Sequence, residues 1–134
     1  MAKLEFIEGI GPAYAEKLRA AGIASTDALL KKGSTPQGRK EIAEATGISP
    51  DLILTWVNHA DLHRIKGIGS EYAELLEQAG VDTVPELARR NPENLYKALV
   101  AINEEKKLVR RLPTPKQVAD WVNQAKSLPR VIEY

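Results

Sequence analysis

The sequence predicts an all-α fold made of two related helical repeats, and three observations carry that prediction. Ile-x-Gly-Ile-Gly-x-x-Tyr-Ala-Glu-x-Leu occurs twice, from Ile7 to Leu18 and from Ile65 to Leu76. Trp56-Val57-Asn58-His59-Ala60 then recurs as Trp121-Val122-Asn123-Gln124-Ala125, at an offset seven residues longer than that from Gly9 to Gly67. Apolar residues also recur at helical spacing between cap and proline signals, whereas the alternation expected of strands is nearly absent. The repeats are assigned to residues 1–60 and 61–134, with the extra length of the second placed near 104–112.

Taken in order, the first string supplies a tight glycine turn and then a helix. Tyr14, Ala15, Leu18 and Ala21 form one apolar stripe, and Gly22 ends it as glycine does one step past a last turn. Thr26 is expected to cap a short helix that Gly33 stops. Thr35-Pro36 starts a further helix that reaches Gly47, because proline is tolerated at the first helical position. Ser49-Pro50 is the next start, and Leu52, Ile53, Trp56, Val57 and Ala60 make a stripe that continues through Leu62 toward the second glycine turn. The second repeat uses the same signals: Thr83-x-x-Glu86 as a capping box, then Asn91-Pro92 and Thr114-Pro115 as helix starts. The expectation is about five short helices per repeat.

Ile-x-Gly-Ile-Gly-x-x-x-Ala-x-x-Leu-x-x-x-Gly resembles the helix-hairpin-helix motif of DNA-repair glycosylases, ligases, DNA uptake proteins and the carboxyl-terminal domain of the RNA polymerase α subunit. The form with Tyr-Ala-Glu after the hairpin, present twice, is similar to an uncharacterised bacterial family of tandem helix-hairpin-helix proteins, a domain of unknown function. The resemblance covers almost the whole chain and implies a SAM-like, helix-hairpin-helix architecture. It places Gly47-Ile48-Ser49-Pro50 and Leu112-Pro113-Thr114-Pro115 where a second, degenerate hairpin would lie. It also implies roles for the hairpin residues. Gly9 and Gly67 turn the chain, Ile10 and Ile68 plug the core, and Gly11 and Gly69 let the backbone approach a DNA phosphate. Many DNA-binding members carry a basic residue two positions beyond the second glycine, and here those positions are Ala13 and Glu71.

The two hairpins differ where charge matters. Glu8 lies inside the first, and Pro12 removes one N–H from the helix start behind it. Arg64 and Lys66 precede the second, and Ser70 is expected both to donate its hydroxyl and to cap the next helix. The stronger candidate for nucleic-acid binding is therefore Lys66, Gly67, Ile68, Gly69 and Ser70, with Gly9 and Gly11 as the weaker copy. The residues alone leave a second reading open, in which each hairpin is a tight turn that only lets two helices approach. Tyr14 and Tyr72 read as half-buried packing residues with solvated hydroxyls, and Trp56 and Trp121 as core.

Total charge says little and local charge says more. Nineteen Lys and Arg stand against eighteen Asp and Glu in 134 residues, a net +1, which argues against a chain that coats nucleic acid by bulk charge alone, so polyanion contact must be local. Residues 1–60 carry seven basic and seven acidic side chains, while Lys106, Lys107, Arg110, Arg111 and Lys116 place five positives in eleven residues with no acid among them. On a continuous helix the first four would share a face able to follow a phosphate backbone. The alternative is a solvated helix in which Glu104 and Glu105 pair with them.

Other chemistries find no support in the residues. Zero cysteines exclude disulfides, thiolate metal sites and cysteine nucleophiles. His59 and His63 stand four apart but lack a third ligand, and they read as a surface pair near the repeat junction with no metal. No catalytic residues, cofactor, small-molecule substrate or membrane segment is evident. The expected function is a non-catalytic, cytoplasmic module that binds the sugar-phosphate backbone of nucleic acid, DNA first, without strong sequence preference. Its alternative is a protein-interaction or self-assembling scaffold whose hairpins have lost phosphate binding. The tail Val131-Ile132-Glu133-Tyr134 fits either packing on the second repeat or addition to a partner.

Overall fold

The computed structural model describes residues 2–134, which form eight α-helices and one 3-10 turn, with no strand among the described residues. The chain divides into two compact units: everything up to Asp61 together with Val131–Tyr134, and Leu62–Arg130. The tail therefore belongs with the first unit and not with the segment that precedes it.

The first unit contains the 3-10 turn Leu4–Phe6, then α1 (Pro12–Ala20), α2 (Thr26–Lys32), α3 (Pro36–Thr46) and α4 (Pro50–Leu62), the last of which runs one residue past Asp61. Its core gathers Leu4, Ile7, Ile10, Leu18, Leu29, Ile42 and Ile53 around Trp56, with Ile132 of the tail among them. The second unit contains α5 (Ser70–Gln78), α6 (Val84–Ala88), α7 (Pro92–Lys106) and α8 (Pro115–Ser127). Its core gathers Ile65, Ile68, Leu75, Leu76, Leu87, Leu99 and Val118 around Trp121. Both tryptophans are 1% exposed. Tyr14 lies edge-on to Trp56 with centroids 5.1 Å apart, and Tyr72 is tilted against Trp121 at 5.3 Å. Such pairs add directional attraction to the area they bury.

Local capping explains most helix boundaries and corrects three expectations. Ser25, not Thr26, caps α2: its hydroxyl accepts from Ala28 N–H at 3.1 Å, and Thr26 is buried inside the first turn. Thr83 caps α6 by accepting from Glu86 N–H at 3.4 Å, but Glu86 does not reach back, because its carboxylate holds Arg90 at 3.0 Å. The reciprocal capping box forms instead at Thr114 and Gln117. Ser70 is the first helical residue of α5, and Gly69 occupies the cap position.

The expected basic helix face does not form. α7 stops at Lys106, and Lys107 adopts the left-handed conformation with φ 51°. The stop is enforced by tertiary structure. The Asn103 amide accepts from Val109 N–H at 2.9 Å and donates to Val109 C=O at 3.1 Å, holding buried Val109 in a turn that a continuing helix would abolish. Lys106, Lys107, Arg110 and Arg111 consequently do not share a helix face: α7 ends at the first of them, and the other three lie on an exposed non-helical segment. The second unit thus has four helices where about five were expected, and the first reaches five elements only with its 3-10 turn.

Candidate functional site

Each glycine turn is a β-turn followed at once by a helix. Ile10 N–H donates to Ile7 C=O at 3.1 Å, and Ile68 N–H to Ile65 C=O at 3.3 Å. In each, the third residue is a glycine with positive φ, 93° at Gly9 and 99° at Gly67, as a type II turn requires. A tryptophan sits against both. A Cβ at Gly9 would lie 3.3 Å from Trp56 Nε1, and one at Gly67 only 2.9 Å from Trp121 Nε1. The first glycine is therefore demanded twice, by backbone conformation and by the indole packed on it. Ile10 and Ile68 are each 4% exposed and anchor the turns from below.

The second glycine is different. Gly11 has φ −86° and ψ −179°, ordinary extended backbone, and nothing lies within 4 Å of a Cβ built there. Gly69 is likewise extended, at φ −96° and ψ −168°. α2, α3, α6, α7 and α8 each begin with a Ser, Thr or Asn oxygen accepting from the first turn. α1 and α5 begin with these glycines and have no side-chain cap. The N–H groups at the start of a helix have no intrahelical acceptor, and they carry the positive end of the helix dipole. No side-chain oxygen caps them at these two helix starts. Pro12 takes one from α1, so α5 presents more donors.

The charges near the turns are asymmetric. Arg19 of α1 is spent on Glu5, at 2.7 and 3.2 Å, and its guanidinium holds the Glu5 carboxyl below the ordinary carboxylate range. Glu8 is exposed within the same turn. In the second turn Lys66 is exposed, and its own peptide is clamped by Gln124: Lys66 N–H donates to Oε1 at 2.9 Å, and Nε2 donates to Lys66 C=O at 3.1 Å. Asp120 accepts from the same Nε2 at 2.9 Å. Arg64 is less available than the sequence implied, since its guanidinium donates to Pro129 C=O at 2.7 Å. Glu71 is exposed in the first turn of α5.

The basic segment is laid along α5. The Tyr72 hydroxyl, expected to face solvent, donates to Arg111 C=O at 2.9 Å, and Lys106 Nζ bonds Gln78 Oε1 at the far end of the helix. Residues 106–111 are thus tied to both ends of α5, and Arg110 and Arg111 arrive at the end that begins with the glycine turn. None of Lys107, Arg110, Arg111 and Lys116 forms an ion pair among the described residues, and all are exposed. The anticipated pairing with Glu104 and Glu105 is not what holds the segment. Lys116 lies in the first turn of α8. Gln124 and the Tyr72–Arg111 bond were missed from sequence. The recurring Trp-Val-Asn-x-Ala string could have flagged Gln124, which is its variable position, held by His59 in the earlier occurrence.

His59 is not a surface residue: it is 1% exposed within α4. No group of three or more His, Asp or Glu able to hold a metal is found among the described residues. No helix among them is long and apolar enough to cross a membrane.

Residues 8–128 match the family described as "Domain of unknown function (DUF4332)", a span that begins inside the first glycine turn and ends just after α8. The chain belongs to the DUF4332 family. No solved structure matches it. The matched span of this DUF4332 chain takes in the glycines of both turns, both tryptophans and the basic segment, but leaves out the tail that enters the core of the first unit.

Proposed function

We propose that this protein is a non-catalytic cytoplasmic module that binds the sugar-phosphate backbone of DNA through two helix-hairpin-helix turns related by internal duplication, without strong sequence preference. The observation that carries the reading is the pair of uncapped helix starts behind Gly11 and Gly69. At Gly11, neither the conformation nor the packing calls for glycine. A glycine there keeps the helix start open to an anion that approaches from outside the protein. The second turn is the stronger of the two, because α5 keeps all its leading N–H groups and Arg110 and Arg111 are held beside it.

A salt titration with labelled duplex and single strand tests this. For contact with about three phosphates, affinity should fall about fortyfold between about 50 and 200 mM salt, with no dependence on base sequence. No binding at low salt to either probe sinks the proposal. Gly11→Ala separates site from scaffold. It should change stability by no more than about 1 kcal/mol, because restriction of the unfolded chain opposes the poorer fit of alanine at a helix N-cap, yet weaken DNA binding measured by anisotropy. A loss well above about 1 kcal/mol would mean that Gly11 is structural after all.

A protein-interaction role has one separate observation in its favour, the grip of the first unit on an extended peptide segment.

A further inference from the structure

Val131–Tyr134 has no regular secondary structure, yet the first unit holds it by contacts of several kinds. Ile132 is 2% exposed and enters the core beside Val131. Both backbone groups of Glu133 are captured: its N–H donates to Ser34 C=O at 2.7 Å, and its C=O accepts from Arg39 at 2.9 Å. Tyr134 donates its hydroxyl to Asn58 Oδ1 at 2.8 Å, and the Arg39 guanidinium lies 5.8 Å from the centre of its ring. The Glu133 side chain is exposed and makes no ion pair among the described residues.

This is the chemistry of peptide recognition in an extended conformation. Main-chain hydrogen bonds supply affinity, and alternate side chains supply selectivity. The groove buries an aliphatic residue, leaves the next side chain exposed, and bonds the hydroxyl of a tyrosine that is itself 60% exposed. Arg39 shows that the groove is built for a ligand carbonyl. It is only 9% exposed, forms no ion pair with a carboxylate among the described residues, and divides its donors between Gly33 C=O at 2.8 Å and Glu133 C=O. A buried guanidinium that loses one of these acceptors is costly, so an empty groove favours refilling.

We infer that the groove formed by Gly33, Ser34, Arg39 and Asn58 is a docking site for an extended aliphatic-x-Tyr segment. It is filled in cis by this chain's own tail, and it takes the same tail from a second copy when the cis segment is displaced. The segment is encoded in the chain, and its fit to the groove is already seen atom by atom. Exchange of an identical element is a low-cost route to association. Cis occupancy wins at micromolar concentration, because the tether gives the tail a high effective concentration. The inference is independent of DNA binding.

The full chain carrying Ile132→Asp ejects the tail and opens the groove. A fluorescein-labelled peptide Leu-Pro-Arg-Val-Ile-Glu-Tyr should bind it saturably and raise its Tm, and should bind the unaltered chain at least about tenfold more weakly, since that groove is filled. The same peptide with aspartate in place of isoleucine should do neither. Mixing the Ile132→Asp chain with an Arg39→Leu chain, which keeps its tail but loses the carbonyl donor, should give a one-to-one dimer in light scattering, while each alone stays monomeric. A folded Ile132→Asp chain that neither binds the peptide nor pairs with the Arg39→Leu chain overturns the inference. If the substituted chain is unfolded by itself, refolding on peptide addition supports it, and failure to refold overturns it.

Discussion

Gly67→Ala should destabilise the second unit by about 2–5 kcal/mol, more than any other glycine-to-alanine change at the two turns. Two costs add. An L-residue at φ 99° is strained by about 1–2 kcal/mol. The new Cβ would also stand 2.9 Å from Trp121 Nε1, and forcing it into that packing costs about a further 1–3 kcal/mol. Gly9→Ala meets Trp56 at 3.3 Å and should cost less. Denaturant melts of both variants check the order. A cycle with Trp121→Phe, which removes the indole nitrogen, should show a coupling of about 1 kcal/mol or more, whereas additivity within about 0.5 kcal/mol would mean that the indole contact does not matter.

Arg110→Gln together with Arg111→Gln should weaken DNA binding by about ten- to a hundredfold at low salt and flatten the slope of log affinity against log salt by about 0.9 for each phosphate no longer neutralised. Stability should be unchanged, since both side chains are exposed and unpaired. Tyr72→Phe should give a smaller loss of the same kind by freeing the Arg111 carbonyl. Glu71→Lys should act in the opposite direction, replacing a repulsive charge in the first turn of α5 with an attractive one. An unchanged salt slope in the double variant would remove the basic segment from the proposed site, and weaker binding by Glu71→Lys would argue against phosphate at this helix start.

Much of this architecture was readable from residues because it is locally encoded. Thr35-Pro36, Asn91-Pro92 and Thr114-Pro115 each start a helix in the structure, since a side-chain oxygen next to a proline satisfies the first N–H groups within a few residues of chain. Gly9 and Gly67 occupy the positive-φ position of their turns for equally local reasons. The misreadings share a cause. Thr26 and Ser25 are both plausible caps, and only the burial of Thr26 chooses between them. His59 looked like a surface residue because a polar residue on a helix carries no local mark of burial.

The candidate site divides in the same way. Sequence singled out the glycines and counted the charges. It could not show that an indole fills the space behind Gly67 while the space around Gly11 stays open, because both depend on how distant parts of the chain pack. Nor could it foresee that Asn103 folds Val109 inward, ends α7 at Lys106, and turns an expected basic helix face into a strap along α5.

The sequence by itself determined an all-helical chain, the places where most helices begin, and two glycine turns each followed by a helix. These follow from backbone conformation and hydrogen bonding over a few residues. Tertiary structure alone decided that an indole packs on the first glycine of each turn, where the basic segment lies and where the tail docks. Those outcomes depend on close packing and on burying polar groups only where partners exist, and the partners come from distant parts of the chain.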